Sequence, residues 1–144
     1  MKSILTVCTG NICRSPMAQA LLAHALPGMR VLSAGTHAVI GAEADPLAQA
    51  VLAPKGIRLD SHRAQQITAP LCQQADLILV MEDVHRQWVQ HTFPFTRGRT
   101  FRVGEHGGWD VPDPYRKPLS EFEQALGHIE HGLQAWVGKL QKLI

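Results

Sequence analysis

Near the start of the chain a cysteine and an arginine enclose five residues, Cys8-Thr9-Gly10-Asn11-Ile12-Cys13-Arg14, and Ser15-Pro16 follows. An apolar run, Ile4–Val7, comes before them, and apolar residues at helical spacing come after. Ser15 reads as an N-cap and Pro16 as a first helical residue, so a helix is predicted to start just after Arg14. Its free N–H groups then face back into the loop. Gly10 and Asn11 are types that tolerate left-handed backbone. A loop that mixes backbone hands turns successive N–H groups inward and makes a nest for an anion. With the helix N-terminus and the forked guanidinium of Arg14, that nest suits a tetrahedral oxyanion. Cys8 ends the strand at the base of the nest, where positive potential favours a thiolate. A thiolate facing a phosphate ester is poised for in-line attack on phosphorus, giving a phosphocysteine that water later hydrolyses. A cysteine at a strand end is by itself more often a buried structural residue. The spacing to Arg14, the Gly-Asn inside and the Ser-Pro after it reverse that reading.

Transfer of phosphate to sulfur expels an oxygen leaving group, which calls for a general acid on a loop that reaches the pocket. The candidate is Asp113, in Asp110-Val-Pro-Asp-Pro-Tyr115. Two prolines fix the backbone on either side of it. Read alone, such a segment is more often a proline-rich turn that happens to hold an aspartate.

The elements that must position these residues alternate between two kinds. Short apolar runs of strand length stand at Ile4–Val7, Val31–Ser33, Leu77–Val80 and Thr100–Val103. Helical spacing covers Ala18–Ala25, the stretch after Pro46, Pro70–Ala75 with Thr68 as its cap, and a region around Val84 and Trp88. The last stripe is the longest, with Phe122, Ala125, Leu126, Ile129, Leu133, Trp136, Val137 and Leu140 on one face. It is predicted helical despite Gly127, Gly132 and Gly138, because it holds no proline. Four strands alternating with about five helices predict a small, doubly wound α/β domain with a parallel sheet covered on both faces. Ligands of such sheets bind outside the carboxyl ends of the strands near a topological switch point. The loop after the first strand is therefore where chemistry is expected.

Composition sets the frame. The chain has 144 residues, 45% apolar and 18% charged, with a formal net charge of +2. Its length fits one domain, 1–144. Fourteen basic against twelve acidic residues give no case for nucleic acid. No apolar run is long enough to cross or insert into a membrane, and the N-terminal apolar stretch is too short for a signal peptide. A cytoplasmic location is expected. Three cysteines, an odd count, argue against a disulfide scaffold. No His-Glu-x-x-His occurs among the eight histidines, and no metal or other cofactor is expected.

Val7-Cys-Thr-Gly-Asn-Ile-Cys-Arg-Ser-Pro16 resembles the signature of the low-molecular-weight protein tyrosine phosphatase family, and stands at the N-terminus as it does there. Ser33-Ala-Gly35, Asp76-Leu-Ile-Leu-Val-Met-Glu82 and Asp113-Pro-Tyr-Arg-Lys117 extend the likeness along nearly the whole chain. The resemblance implies Cys8 as nucleophile, Arg14 as the phosphate-binding cation and Asp113 as the acid that protonates the leaving oxygen and later activates water. Thr9, Gly10, Asn11, Ile12 and Cys13 would line the phosphate site. Ser15 would donate to the nucleophile, while Asn11 and Ser33 brace the loop. Tyr115, the one tyrosine, would form one wall of the cleft, and Ile40 in the His37–Gly41 loop the other. Where the family usually has Ala-Arg after the His62-Arg63 pair, this chain has Ala64-Gln65, one charge fewer behind the loop. The likeness is greatest to bacterial members paired with tyrosine autokinases of capsule and exopolysaccharide export. A phosphotyrosine-rich kinase tail is the partner this implies.

Other readings remain beside it. Cys13 is a small filler, or it captures an oxidised Cys8 as a disulfide. Cys72 reads as core. Arg97, Arg99 and Arg102 are a solvated face or a docking patch for an acidic tail. Some arsenate reductases share the fold and phosphate loop. They relay a disulfide through two further cysteines after the third strand, and no cysteine follows Leu77 here.

Overall fold

The structure, a computed structural model, describes residues 1–142; the last two residues of the expected domain lie outside the described residues. Four parallel strands form one sheet: β1 (Ser3–Cys8), β2 (Arg30–Gly35), β3 (Leu77–Val80) and β4 (Thr100–Arg102). Five α-helices connect and cover them: α1 (Arg14–Ala25), α2 (Pro46–Leu52), α3 (Ala69–Gln74), α4 (Asp83–Thr92) and α5 (Leu119–Gln141). Short 3₁₀ turns follow α2 and α4.

The strand order is β2-β1-β3-β4. The chain leaves β1 for one neighbour, then crosses back over it to build the other side. The switch point thus falls at the carboxyl end of β1, where Cys8 stands.

Every residue of β3 is buried, as are five of the six in β1, so both faces of the sheet carry core. Ile4, Cys8, Leu77 and Leu79 face α1, α2 and α5 together with Met17, Leu22, Phe122 and Ile129. Leu5, Val7, Ile78 and Val80 face the other way, against Cys72 and Val89 of α3 and α4. This two-sided burial is why the strands read as unbroken apolar runs.

The apolar stripe of α5 is buried as its spacing predicts, from Phe122 to Leu140. Gly132 explains itself. A Cβ there would come within 2.6 Å of the Val103 side chain and carbonyl, so the glycine lets α5 close on the end of β4. Thr68 caps α3 by accepting the Leu71 N–H.

Candidate active site

The loop between β1 and α1 is held by its carbonyls. Six in succession are bonded to the frame around it. Cys8, Thr9 and Gly10 accept from Thr36, His37 and Val39 N–H groups at 2.9–3.0 Å. The Asn11 carbonyl accepts from His62 Nε2 at 2.7 Å. Those of Ile12 and Cys13 accept from Asp45 and Met17 N–H groups at 2.8 and 3.3 Å. With the carbonyls tied outward, the amides turn inward. Those of Gly10, Ile12 and Cys13 meet no protein acceptor among the described residues, and the Asn11 N–H points at Cys8 Sγ at 3.3 Å. Such a ring of donors is an anion nest. One residue supplies the change of backbone hand: Asn11, at φ +59°. Gly10 does not share it. A Cβ on Gly35 would strike the Thr9 carbonyl and lie 3.1 Å from the Asn11 amide, so β2 meets the loop flush only with glycine there.

Below the loop, side chains brace it. Asn11 Nδ2 donates to Ser15 Oγ at 2.8 Å and to Ser33 Oγ at 2.9 Å. Its Oδ1 accepts the Gln65 N–H, and Gln65 Nε2 donates to the Ser33 carbonyl. The glutamine thus works through its amide in a site where the family usually has a charge. Burial lowers the pKa of His62, consistent with a neutral ring whose Nε2–H reaches Asn11. Thr6 Oγ1 donates to the Ser15 carbonyl and ties β1 to α1.

Ser15 is not the helix cap that the sequence suggests. The helix begins at Arg14, and Cys13 stands at the N-cap with no side-chain cap. The Ser15 hydroxyl lies instead 2.9 Å from Cys8 Sγ. A capping side chain would occupy amides that here open into the pocket. Pro16 still fits, because the first turn has no intrahelical use for its N–H.

The pocket over the loop has a volume of about 190 Å³. Its lining brings together Cys8, Thr9, Gly10, Ile12, Cys13 and Arg14 with Asp113 and Tyr115, which lie some hundred residues on. Asn11 and Ser15 are fully buried behind the loop and do not line it, so they brace the anion site and do not touch its contents. The aliphatic wall is Val39 and not Ile40. The Val39 N–H bond to Gly10 draws that residue to the loop, while Ile40 points out, 74% exposed. His37 completes that side.

Arg14 is 1% exposed, a cation sealed from water. Its Nη1 pairs with Glu82 Oε1 at 2.5 Å and donates to the Val111 carbonyl at 2.7 Å. Its Nη2 lies 3.7 Å from Asp113 Oδ2. Glu82 stands two residues past the end of β3 and so faces the loop from the neighbouring strand. A second residue of that turn, His85, is buried beside it. The Glu82 N–H donates to His85 Nδ1, which leaves Nε2–H to donate to Thr9 Oγ1 at 2.9 Å. The Thr9 hydroxyl hydrogen is then free for the pocket. Burial, then the Arg14 guanidinium, hold His85 neutral and push its pKa down to about 4, against the opposite pull of Glu82, Asp113 and Asp110. The sequence reading gave neither Glu82 nor His85 a role.

The acid loop is anchored before Asp113. Asp110 accepts the Asp83 N–H and pairs with Arg102, and the Val111 N–H donates to the Met81 carbonyl. Asp110 thus anchors the loop. Arg102 is spent on it and on Glu105, and Arg99 donates to the Cys72 carbonyl, which favours structural use of that basic cluster.

The three cysteines are free. Cys72 is buried in α3, and its pKa is pushed up to about 11 by burial. Burial and the nearby Asp45 also raise Cys13 far above the ordinary thiol range. No metal-holding cluster of His, Cys, Asp or Glu occurs among the described residues. No helix of the described residues is long and apolar enough to cross a membrane.

Comparison with known proteins decides the family. The model of the low molecular weight phosphotyrosine protein phosphatases matches residues 3–143. The chain belongs to that family. It is 52% identical over 143 residues to a "probable low molecular weight protein-tyrosine-phosphatase EpsP" of Ralstonia nicotianae, covering 99% of each chain. The crystal structure of the tyrosine phosphatase AmsI of Erwinia amylovora superposes with a TM-score of 0.92 at 43% identity, over 96% of this chain and 92% of that one. The YwlE arginine phosphatase of Geobacillus stearothermophilus does so at 0.92 and 36%, over 99% and 94%. The family assignment does not favour a reductase, and the third cysteine, buried in α3, is not placed as one of a disulfide relay.

Proposed function

We propose that the chain hydrolyses phosphotyrosine in proteins through a phosphocysteine on Cys8. The observation that supports this best is the ring of outward-bonded carbonyls, which leaves inward amides and Arg14 around the Cys8 sulfur. In this reading the inward amides of Gly10, Ile12 and Cys13 and the guanidinium hold the three equatorial oxygens of the phosphoryl group, where charge builds in the transition state. The Cys8 thiolate attacks phosphorus as the ester P–O bond breaks. Asp113, protonated, gives its proton to the leaving phenolate oxygen. The phenol departs, and Asp113 takes a proton from water as that water attacks phosphorus. The P–S bond breaks, the Ser15 hydroxyl donates to the departing thiolate, and inorganic phosphate leaves. Tyr115, Val39 and Ile12 wall the cleft, whose depth suits an aryl phosphate better than a short phosphoserine.

The substrate that the sequence resemblance supports is the phosphotyrosine tail of a tyrosine autokinase of capsule or exopolysaccharide export, met in the cytoplasm. Residues 1–144 act as one unit, with no cofactor. The test is hydrolysis of p-nitrophenyl phosphate and of a phosphotyrosyl peptide by reduced wild type and Cys8→Ser, in the presence of a chelator. Turnover in the wild type and a loss on the order of 10⁴-fold or more in Cys8→Ser is expected. A phosphoarginine peptide run beside them measures the competing activity of the YwlE relative; preferential hydrolysis of it would overturn the phosphotyrosine reading.

A further inference from the structure

Arg116 carries a feature that neither the catalytic chemistry nor the fold accounts for. It has φ +64°, and Asn11 is the only other non-glycine residue with positive φ among those described. Left-handed backbone is costly for a long side chain, and glycine or asparagine is the usual occupant. The turn itself, closed by the Lys117 N–H to the Pro114 carbonyl at 2.9 Å, would form at least as well with glycine. Strain held at such a point is a pointer to use of the side chain.

The side chain lies at the pocket mouth. Its guanidinium carbon stands 5.3 Å from the centroid of the Tyr115 ring. Tyr115 lines the pocket and Arg116 does not, so the cation is laid on the wall without filling the cleft. Arg116 and Lys117 are both exposed, and among the described residues neither makes an ion pair. Other arginines behave otherwise: Arg14, Arg86 and Arg102 all face carboxylates. Two uncompensated cations therefore follow the wall tyrosine in sequence, and the first of them is stacked on its ring.

We propose that Arg116, seconded by Lys117, is a specificity-determining residue that selects phosphotyrosines flanked by acidic residues. The inference rests on the phosphotyrosine reading above. A carboxylate one or two residues from the phosphotyrosine meets the planar guanidinium as the ring enters against Tyr115. The stacking limits the freedom the arginine must lose on binding.

The test compares three phosphotyrosyl peptides of one length, with Glu, Gln or Lys on both sides of the phosphotyrosine, at low ionic strength. The readout is the ratio of kcat/KM between peptides, because a displaced Tyr115 would lower all three together. The wild type is expected to prefer Glu over Gln by about threefold, the scale of an exposed ion pair, and Gln over Lys by a similar factor. Arg116→Gly, which suits the positive φ, should bring the Glu-to-Gln ratio close to one at an unchanged or raised Tm. Arg116→Lys should keep most of the preference, and Arg116→Asp should reverse it. Equal kcat/KM on the three peptides in the wild type, or an unaltered ratio in Arg116→Gly, would overturn the proposal. Failure of the wild type on all three would instead overturn the phosphatase reading beneath it.

Discussion

The floor and the rim of the cleft are built by different means. The floor is sealed: Arg14, Asn11 and Ser15 are buried, and six consecutive carbonyls, together with the Asn11 side chain, are bonded to three surrounding segments and to the first turn of α1. The rim is open: Val39 is 49% exposed, Tyr115 44%, and Asp113 has half its side chain in water. Rigidity belongs where charge develops on a phosphoryl group, because donors already in place need no reorganisation. Exposure belongs where a protein substrate must enter and leave. Substitutions in the floor should therefore act on kcat, on stability and on every substrate. Those in the rim should act on choice of substrate.

The sharpest test of that division is Asp113, which stands on the rim and whose proposed role as acid would serve the floor. Asp113→Asn keeps the shape and removes the proton. A loss of kcat of about 10²- to 10³-fold is expected on a phosphotyrosyl peptide, whose phenol is a poor leaving group. The loss should be smaller on p-nitrophenyl phosphate, whose leaving group needs little protonation. Equal losses on the two would remove Asp113 from the acid role.

Next in size is Glu82→Ala, which leaves the Arg14 cation sealed without its closest counter-charge. Breaking a buried pair from one side costs about 3 kcal/mol, which urea unfolding of wild type and variant would register. A change below about 0.5 kcal/mol would mean that the Val111 carbonyl and Asp113 suffice for Arg14.

His85 gives the floor a pH dependence. Its folded pKa, about 4, lies below the ordinary value near 6.5, so the unfolded chain binds the proton more readily. The contribution to stability is complete above about pH 6.5 and is lost as pH falls toward about 4, amounting to about 2 kcal/mol by pH 5. Urea midpoints at several pH values should show this slope in the wild type. His85→Asn, which can still accept the Glu82 N–H, should flatten it. An identical slope in the variant would place the titration elsewhere.

The smallest effects belong to the aliphatic wall. Val39→Ala should raise KM for a phosphotyrosyl peptide about threefold, the scale of one lost apolar contact, while Ile40→Ala should change it less than about twofold. The reverse order would return Ile40 to the wall.

What the sequence made legible follows the same division. The phosphate loop is one contiguous stretch, Cys8 to Pro16, so its residue types and spacing carry the chemistry with no knowledge of the fold. The strands and helices were readable because a sheet buried on both faces leaves unbroken apolar runs. Glu82 and His85 were not readable as parts of the site, because they meet Arg14 and Thr9 across 68 and 76 residues of sequence. The available signal was the position of Glu82, two residues past the Val7–Val80 register pair and so level with the loop. Val39 and Ile40 are both aliphatic and adjacent. A backbone bond from Val39 to Gly10 decides between them, and no pattern of side chains encodes it. Ser15 misled for a physical reason. The capping rule assumes that a helix's first amides need a protein acceptor, whereas these open into a pocket built for a ligand.

The proposed chemistry stands on transfer of phosphate to the Cys8 sulfur. Its most direct test is a rapid acid quench of the reduced enzyme with excess p-nitrophenyl phosphate, followed by mass spectrometry of the peptide containing residues 8–14. One phosphoryl group is expected on Cys8 during turnover, and none in Cys8→Ser, which should release no p-nitrophenol above background. Release of p-nitrophenol in the first turnover with Cys8 unmodified, or turnover that survives Cys8→Ser, would contradict it.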